Sequence, residues 1–269
     1  MTPTAFSKVH GAGNDFVLFD QIDRAFDVPP ELAVRLCDRH RGVGADGLLL
    51  VRRDPDGGWR LVILNADGSR PEMCGNGIRC VARHLVEARG VTDDPLTIRT
   101  DAGPRACAVS RSSRGAWSVT VGMGAARVAS SDEHVEAAGR EHVFRRVSVG
   151  NPHAIVFSDD PLADARAYGP ALEVAPAFPQ RSNIELVQRL SDDAVRVVVH
   201  ERGCGITQAC GTGATAVAAA LIETGRHPAD LPLAVHLPGG VVTIRRDGDS
   251  GAYLMTGPAE VVFTGEIDL

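Results

Sequence analysis

Lysine is all but missing from this chain. Lys8 is the only one among 28 basic residues, and the rest are arginine. Chemistry through a lysine Schiff base has a single candidate, which argues against pyridoxal phosphate. No C-x-x-C pair occurs, so the common zinc spacing and the local redox dithiol are both lacking. C-x5-C does occur twice, at 74/80 and 204/210, but six residues along a helix turn the second thiol away from the first. No metal site is expected. Long apolar runs are absent as well: residues 214–222 form the longest, far too short to span a bilayer. Dense basic runs are missing and the net charge is −6, so neither a nucleic acid nor an anionic membrane is an expected partner. The start, MTPTAFSKVHGAGNDF, has no basic and apolar leader pattern, so no signal peptide is expected and the cytoplasm is the expected address. Without export features, the six cysteines read as thiols rather than disulfides.

What is present is the composition of a globular protein, 44% apolar and 23% charged over 269 residues, enough for one large domain or two ordinary ones. Two stretches stand out, MCGNGIRCVARHLVEARG from Met73 and ACGTGATAVAAALIETGR from Ala209. Sliding the chain by 136 positions lays Cys74 on Cys210, Gly75 on Gly211 and Gly77 on Gly213. Ile78, Val81, Ala82, Leu85 and Val86 keep a helical period, as do Ala214, Val217, Ala218, Leu221 and Ile222. Gly90 and Gly225 stand where these helices should end. The same offset lays Asn65 on Glu201, each nine residues before its cysteine, and Gly47 on Asn183. With one residue of slip, Asn14 meets Asn151.

Such a repeat reads as a duplication. Short alternating strands surround each helix, for example 117–121, 195–199 and 241–244. The expected fold is α+β, with two pseudo-symmetric halves that each wrap a mostly antiparallel sheet around a central helix. The serine-rich segment 111–115 is the expected crossing, giving residues 1–112 with 257–269 as the half carrying Cys74, and 113–256 as the half carrying Cys210.

Glycines at a helix start let a ligand approach the backbone, and the first N–H groups there attract anions, carboxylates included. The same helix end favours the thiolate of a cysteine placed on it. A single C-G-x-G is more often simple close packing. Two matched copies, each preceded at nine residues by a polar side chain, favour chemistry. Two thiols acting on one carbon beside a carboxylate, one removing a proton and the other delivering it, would racemise or epimerise that carbon.

HGAGNDF, NADGSRPEMCGNGIRC, GNPH, FPQRSN and ERGCGITQACGTGA, in this order, resemble the diaminopimelate epimerase family over nearly the whole chain. The resemblance implies interconversion of LL- and meso-2,6-diaminopimelate, in lysine and peptidoglycan precursor biosynthesis, without cofactor or metal. It also implies Cys74 and Cys210 as the two acid/bases, with Gly75, Asn76, Gly211 and Thr212 around the reacting carboxylate. Glu201 would hold the reacting ammonium, and His153 would polarise the surroundings of a cysteine. Arg202, Asn65, Asn151 and Asn183 would recognise the distal end of the substrate, with Asn14 lining the same pocket.

Two positions depart from the family pattern. Gly47 stands where some members carry glutamine, leaving only backbone, and Ile206 stands where glutamate is frequent. Cys37, Cys80, Cys107 and Cys204 are expected to be structural. The rival readings are a proline or hydroxyproline racemase-type enzyme, a dithiol redox protein, and a non-catalytic amino-acid-binding protein. Oligomeric state stays open, a homodimer included.

Overall fold

A computed structural model describes residues 3–269. In chain order, the first elements are β1 (Thr4–Gly11), β2 (Asn14–Asp20), α1 (Pro30–Cys37), β3 (Gly47–Arg53), β4 (Trp59–Asn65) and α2 (Gly75–Arg89). Next come β5 (Leu96–Thr100), β6 (Gly103–Arg111), β7 (Trp117–Gly124), β8 (Arg127–Val128), β9 (Glu133–Ala137), β10 (Arg140–Ser148) and β11 (Pro152–Phe157). The chain continues with α3 (Pro161–Glu173), β12 (Asn183–Arg189), β13 (Ala194–Glu201), β14 (Gly205–Ile206) and α4 (Gly211–Glu223). It ends with β15 (Leu233–Leu237), β16 (Gly240–Arg246), β17 (Tyr253–Pro258) and β18 (Glu260–Ile267). Two compact units result, one of residues 1–121 with 257–269 and one of residues 122–256.

In the first unit the strands pair in the order β18, β1, β2, β3, β4, β5, β6, β7. All pairs are antiparallel except β2/β3 and β4/β5. Helix α2 packs against β1 through β6, so the sheet curls around it. Its apolar stripe of Ile78, Val81, Ala82 and Leu85 is fully buried, as a 3.6-residue period facing a curved sheet requires. Gly90, at φ 64°, ends the helix with its N–H on the Leu85 carbonyl. The short α1 covers β3 and β4 from outside.

The second unit repeats the scheme. β10/β11, β12/β13, β15/β16 and β16/β17 are antiparallel, while β11/β12 and β13/β15 are parallel. The duplication is exact enough to preserve strand register. Leu48 faces Leu64 in the first unit, and their counterparts 136 positions on, Ile184 and His200, face each other in the second. Helix α4 packs against β8, β10, β11, β12 and β16. Its GTGATAVAAALIE sequence is buried almost all round, because alanine carries no bulk to hold strands away. The α+β class with one central helix per unit is therefore the observed architecture.

Two features differ from the sequence reading. Residues 111–115 are not a crossing but the tight turn between β6 and β7, where Gly115 at φ 88° returns the chain and Arg111 faces Trp117. Residues 113–121 accordingly stay with the first unit, and the chain leaves it inside β7. Each unit also has a second helix, α1 or α3, beyond the one anticipated. Helix α3 starts on Pro161 with Asp160 capping Ala163 N, and it tolerates Gly169 and Pro170 because residues packed on β12 and β13 hold it. Among the described residues no helix is long and apolar enough to cross a membrane.

Candidate active site

Cys74 and Cys210 hold the same local geometry in their separate units. Each is the N-cap residue of its helix, in extended conformation (φ −137°, ψ 115° and φ −120°, ψ 107°). Each Sγ accepts the N–H of the third helical residue, Gly77 at 3.4 Å and Gly213 at 3.3 Å. A cysteine takes the capping task usually left to serine, threonine or aspartate. The sulfur is thereby aimed at the positive end of the helix dipole. Gly75 with Asn76, and Gly211 with Thr212, form the first two helical positions, whose N–H groups have no partner within the helix.

In the first unit, Asn14 begins β2 directly beside the α2 start. Its Oδ1 accepts from Asn76 Nδ2 at 3.1 Å and from the Cys74 thiol at 3.7 Å. Its Nδ2 donates to Asp46 Oδ2 at 2.7 Å, which fixes which end of the amide meets the sulfur. Asp46 is held in turn by Arg39, whose guanidinium also grips Asp15. Lys8, the single lysine, donates to Asp15 and to the Gly44 carbonyl. It is thus an anchor beneath the site and not a nucleophile. Asn65 lies opposite Gly47 across β3 and β4, and its amide donates to Ser69 Oγ at 2.9 Å. A Cβ at Gly47 would sit 2.5 Å from the Leu64 carbonyl oxygen, so β3 accepts no side chain there without moving.

Burial alone would raise the Asp15 carboxyl, but hydrogen bonds from Arg39 and Lys8 outweigh it and hold the pKa at about 2. A depressed carboxyl stabilises the fold above its unfolded pKa near 4, and that stability is lost as pH falls through the folded value. About 2 kcal/mol should therefore disappear between about pH 4 and pH 2. Urea midpoints measured across that interval should show the loss, and Asp15→Asn should remove this part of the slope. An unchanged slope in the variant would contradict it.

In the second unit, Cys210 is surrounded by more polar side chains. Thr212 Oγ1 lies 3.5 Å from its Sγ and accepts from Asn151 Nδ2 at 3.3 Å. Glu201, at the end of β13, lies beside the thiol and takes the Thr207 hydroxyl at 2.5 Å. Burial raises the Glu201 carboxyl, with Thr207 opposing and the Glu185 charge adding. Burial likewise pushes the Cys210 thiol well up, reinforced by Glu201 and Glu185, with hydrogen bonds from Thr212 and Gly213 pulling the other way. This corrects the expectation of a ready thiolate at this helix end. The dipole acts at one point, whereas the whole enclosure opposes a bare charge, and the enclosure wins. Cys37, Cys80 and Cys107 are also buried and pushed up, chiefly by that burial, to about 11, 12 and 12. Cys204 is exposed on the loop after β13.

His153 reaches no cysteine directly. It is fully buried, with Nδ1 2.7 Å from Glu185 Oε1 and Nε2 2.9 Å from Asn151 Oδ1, so both ring nitrogens are engaged. Asn183 donates to the Pro152 carbonyl at 2.9 Å and accepts from Arg202 N at 3.0 Å, clamping the GNPH and ERG turns together. Arg202 itself is exposed, with Nη1 3.3 Å from the Gln180 carbonyl oxygen. Ile206 is exposed on β14 opposite His200.

The structure thus brings together Asn14, Cys74 and Asn76 in one unit, and Asn151, Glu201, Cys210 and Thr212 in the other. Asn65 is engaged with its own loop, and Asn183 with the turns at Pro152 and Arg202. Sequence reasoning missed Asp46, Arg79 and Glu185. For Glu185 a signal existed: it is the lone acid in the apolar run of β12, Ile184 to Val187, and it is fully buried. Among the described residues no group of three or more acidic, histidine or cysteine side chains is arranged to hold a metal ion.

The glycines test the cap geometry. A Cβ at Gly213 would sit 2.8 Å from Glu185 Oε1 and 3.3 Å from Cys210 Sγ, whereas at Gly77 the nearest atom is the Leu49 Cδ2 methyl at 2.8 Å. Gly213→Ala should lower kcat at least about tenfold by displacing the groups around the sulfur. Gly77→Ala, meeting only the end of a side chain, should cost less. Steady-state kinetics on both variants checks this, and the reverse ranking would contradict it.

A family model described as diaminopimelate epimerase matches residues 6–129 and 145–262. The diaminopimelate epimerase of Desulforudis audaxviator is 44% identical over 277 residues, covering 97% of this chain and 98% of that protein. That of Gloeothece citriformis is 40% identical over 286 residues, covering 98% and 99%. Among solved structures, a PhzF-family phenazine biosynthesis protein of Bacillus anthracis superposes with a TM-score of 0.76 over the full length of both chains at 17% identity. A hydroxyproline epimerase of Agrobacterium vitis gives 0.70 at 18% identity, over 99% of this chain and 93% of that one. At such identities these two structures share the fold alone.

Proposed function

The chain belongs to the diaminopimelate epimerase family and is an isomerase, and from that premise we propose that Cys74 and Cys210 are its two acid/bases. The observation that carries this is the matched pair of N-cap cysteines, each with its sulfur on the third N–H of a buried helix. The reaction interconverts LL- and meso-2,6-diaminopimelate. One sulfur takes the α-proton from one face while the other thiol gives a proton to the opposite face, and the roles exchange in the reverse direction. The N–H groups of Gly75, Asn76, Gly211 and Thr212 take the negative charge that develops on the reacting carboxylate. Glu201, beside Cys210, receives the reacting ammonium and keeps a local negative charge that favours the protonated thiol. Asn14 and Asn151 orient the two cysteine environments, while Arg202 offers a guanidinium to the distal carboxylate. His153 acts through Asn151. The scheme needs no cofactor, and its reduced thiols suit the cytoplasm.

The α-carboxylate of a small amino acid would satisfy the helix starts equally well, so the substrate must be tested against a rival. LL-Diaminopimelate and proline are mixed with the protein in D₂O and followed by proton NMR. Loss of the α-proton of diaminopimelate with growth of the meso form is expected. Exchange into proline alone would move the reading to a proline-type racemase.

A further inference from the structure

Glu185 is a buried carboxylate with no part in the scheme so far. It sits in the middle of β12, fully buried, and its Oε2 has no hydrogen-bond partner. Its Oε1 takes His153 Nδ1 at 2.7 Å across the parallel β11/β12 pair. The same oxygen lies 2.8 Å from where a Cβ of Gly213 would stand, so only glycine at that helix position lets the carboxylate come so near Cys210. From His153 the contacts run on without a gap. Nε2 meets Asn151 Oδ1 at 2.9 Å, Asn151 Nδ2 donates to Thr212 Oγ1 at 3.3 Å, and Thr212 Oγ1 lies 3.5 Å from Cys210 Sγ.

These contacts have a direction. A carboxylate only accepts, so His153 Nδ1 carries a proton toward Glu185. The Asn151 oxygen also only accepts, so Nε2 carries a second. Asn151 then presents its NH₂ to Thr212, whose oxygen is occupied as acceptor and whose hydroxyl proton is free to turn to the sulfur. Every donor in the chain points at Cys210. Without the Glu185 charge, a ring that donates from Nδ1 alone leaves Nε2 as an acceptor. Asn151 would then turn its NH₂ to His153 and its oxygen to Thr212, and the hydroxyl would leave the sulfur. The net charge of the Glu185–His153 pair is zero in both arrangements, so the direct field at Cys210 changes little while the donor is lost. Besides this pair, the ionisable group facing Cys210 within the unit is Glu201.

We propose that Glu185 is a positioning residue for the epimerisation: by holding His153 it sets the direction of a hydrogen-bond chain that delivers the Thr212 hydroxyl to Cys210 Sγ. When Cys210 gives its proton to the substrate carbon, that hydroxyl is in place to donate to the sulfur left behind. When the sulfur takes a proton, the hydroxyl turns away, and no proton leaves the chain. The inference rests on Cys210 being an acid/base.

The test is a double-mutant cycle on the full chain with diaminopimelate. Glu185→Gln and Thr212→Val should each lower kcat about 10- to 100-fold with KM within about threefold, because both remove the same donor at the sulfur. The double variant should fall no more than about twofold below the weaker single, since the two act through one chain. Multiplicative losses, or wild-type kcat in Glu185→Gln, would overturn the proposal. Nitrogen-15 NMR of the imidazole rings, with the His153 signals identified by their loss in His153→Gln, supplies a readout that a packing defect would not move. Two protonated ring nitrogens are expected in the wild type and in Thr212→Val, and one bare nitrogen in Glu185→Gln. A singly protonated His153 in the wild type would overturn the proposal even if Glu185→Gln did not fold. Wild-type turnover in Cys210→Ser would instead remove the acid/base reading beneath it, whereas a crippled Cys210→Ser beside an intact Glu185→Gln would remove only the role of Glu185.

Discussion

Cys74→Ser and Cys210→Ser are each expected to lower turnover about a thousandfold while leaving the fold in place. Serine is a clean replacement because it is a favoured N-cap residue, so its hydroxyl can keep the N–H of Gly77 or Gly213 satisfied. Helix starts and packing should therefore survive. What is lost is acidity. A serine hydroxyl does not ionise usefully near neutral pH, and the buried surroundings of Cys210 already push even a thiol upward. Turnover with thermal midpoints near the wild type separates chemistry from structure. If either variant turned over at the wild-type rate, that cysteine would not be an acid/base.

Arg79→Met is expected to lower stability by about 3 kcal/mol, the largest effect foreseen outside the cysteines. Arg79 is fully buried near the start of α2. Its hydrogen bonds include the Pro258 carbonyl at 3.1 Å, the Gly75 carbonyl at 3.1 Å and Asn76 Oδ1 at 3.0 Å. Methionine fills similar volume but withdraws the guanidinium from the Pro258 carbonyl and Asn76 Oδ1 in the interior, while the Gly75 carbonyl keeps its helical N–H. Because Asn76 hands its own NH₂ to Asn14, and Asn14 accepts from Cys74, loosening Asn76 should also reduce kcat. Arg79→Lys should fall between, since a point charge cannot reproduce a planar fork. Urea denaturation of both variants checks the order, and an unshifted midpoint in Arg79→Met would contradict it.

The sequence showed the parts of this molecule that depend on neighbours along the chain. The two cysteine caps, the stripe of Ile78, Val81, Ala82 and Leu85, and the Gly90 stop are all fixed within a few residues, and each stands where its pattern placed it. Duplication extended that reach, because an offset of 136 aligned strands whose register is indeed shared. Helix α3 was hidden because Gly169 and Pro170 break the local pattern while tertiary packing overrides them. The 111–115 turn reads like a linker in composition, and only the pairing of β6 with β7 shows otherwise. Partners brought together by sheet pairing lay furthest out of reach. His153 meets Glu185 because β11 and β12 run parallel, which no spacing in the sequence records. Cys210's raised thiol is of the same kind, since its cause is the sum of everything packed around it.

The division of labour between the cysteines is best tested by where the protons come from. LL- and meso-diaminopimelate are each supplied to the wild-type protein in D₂O, and proton NMR is recorded in the first few per cent of reaction. Two bases predict that the newly inverted centre carries deuterium from the start, while unreacted substrate keeps its proton, in both directions. Early product that retains the substrate's own proton would mean that a single base returns it, and would contradict the two-cysteine scheme.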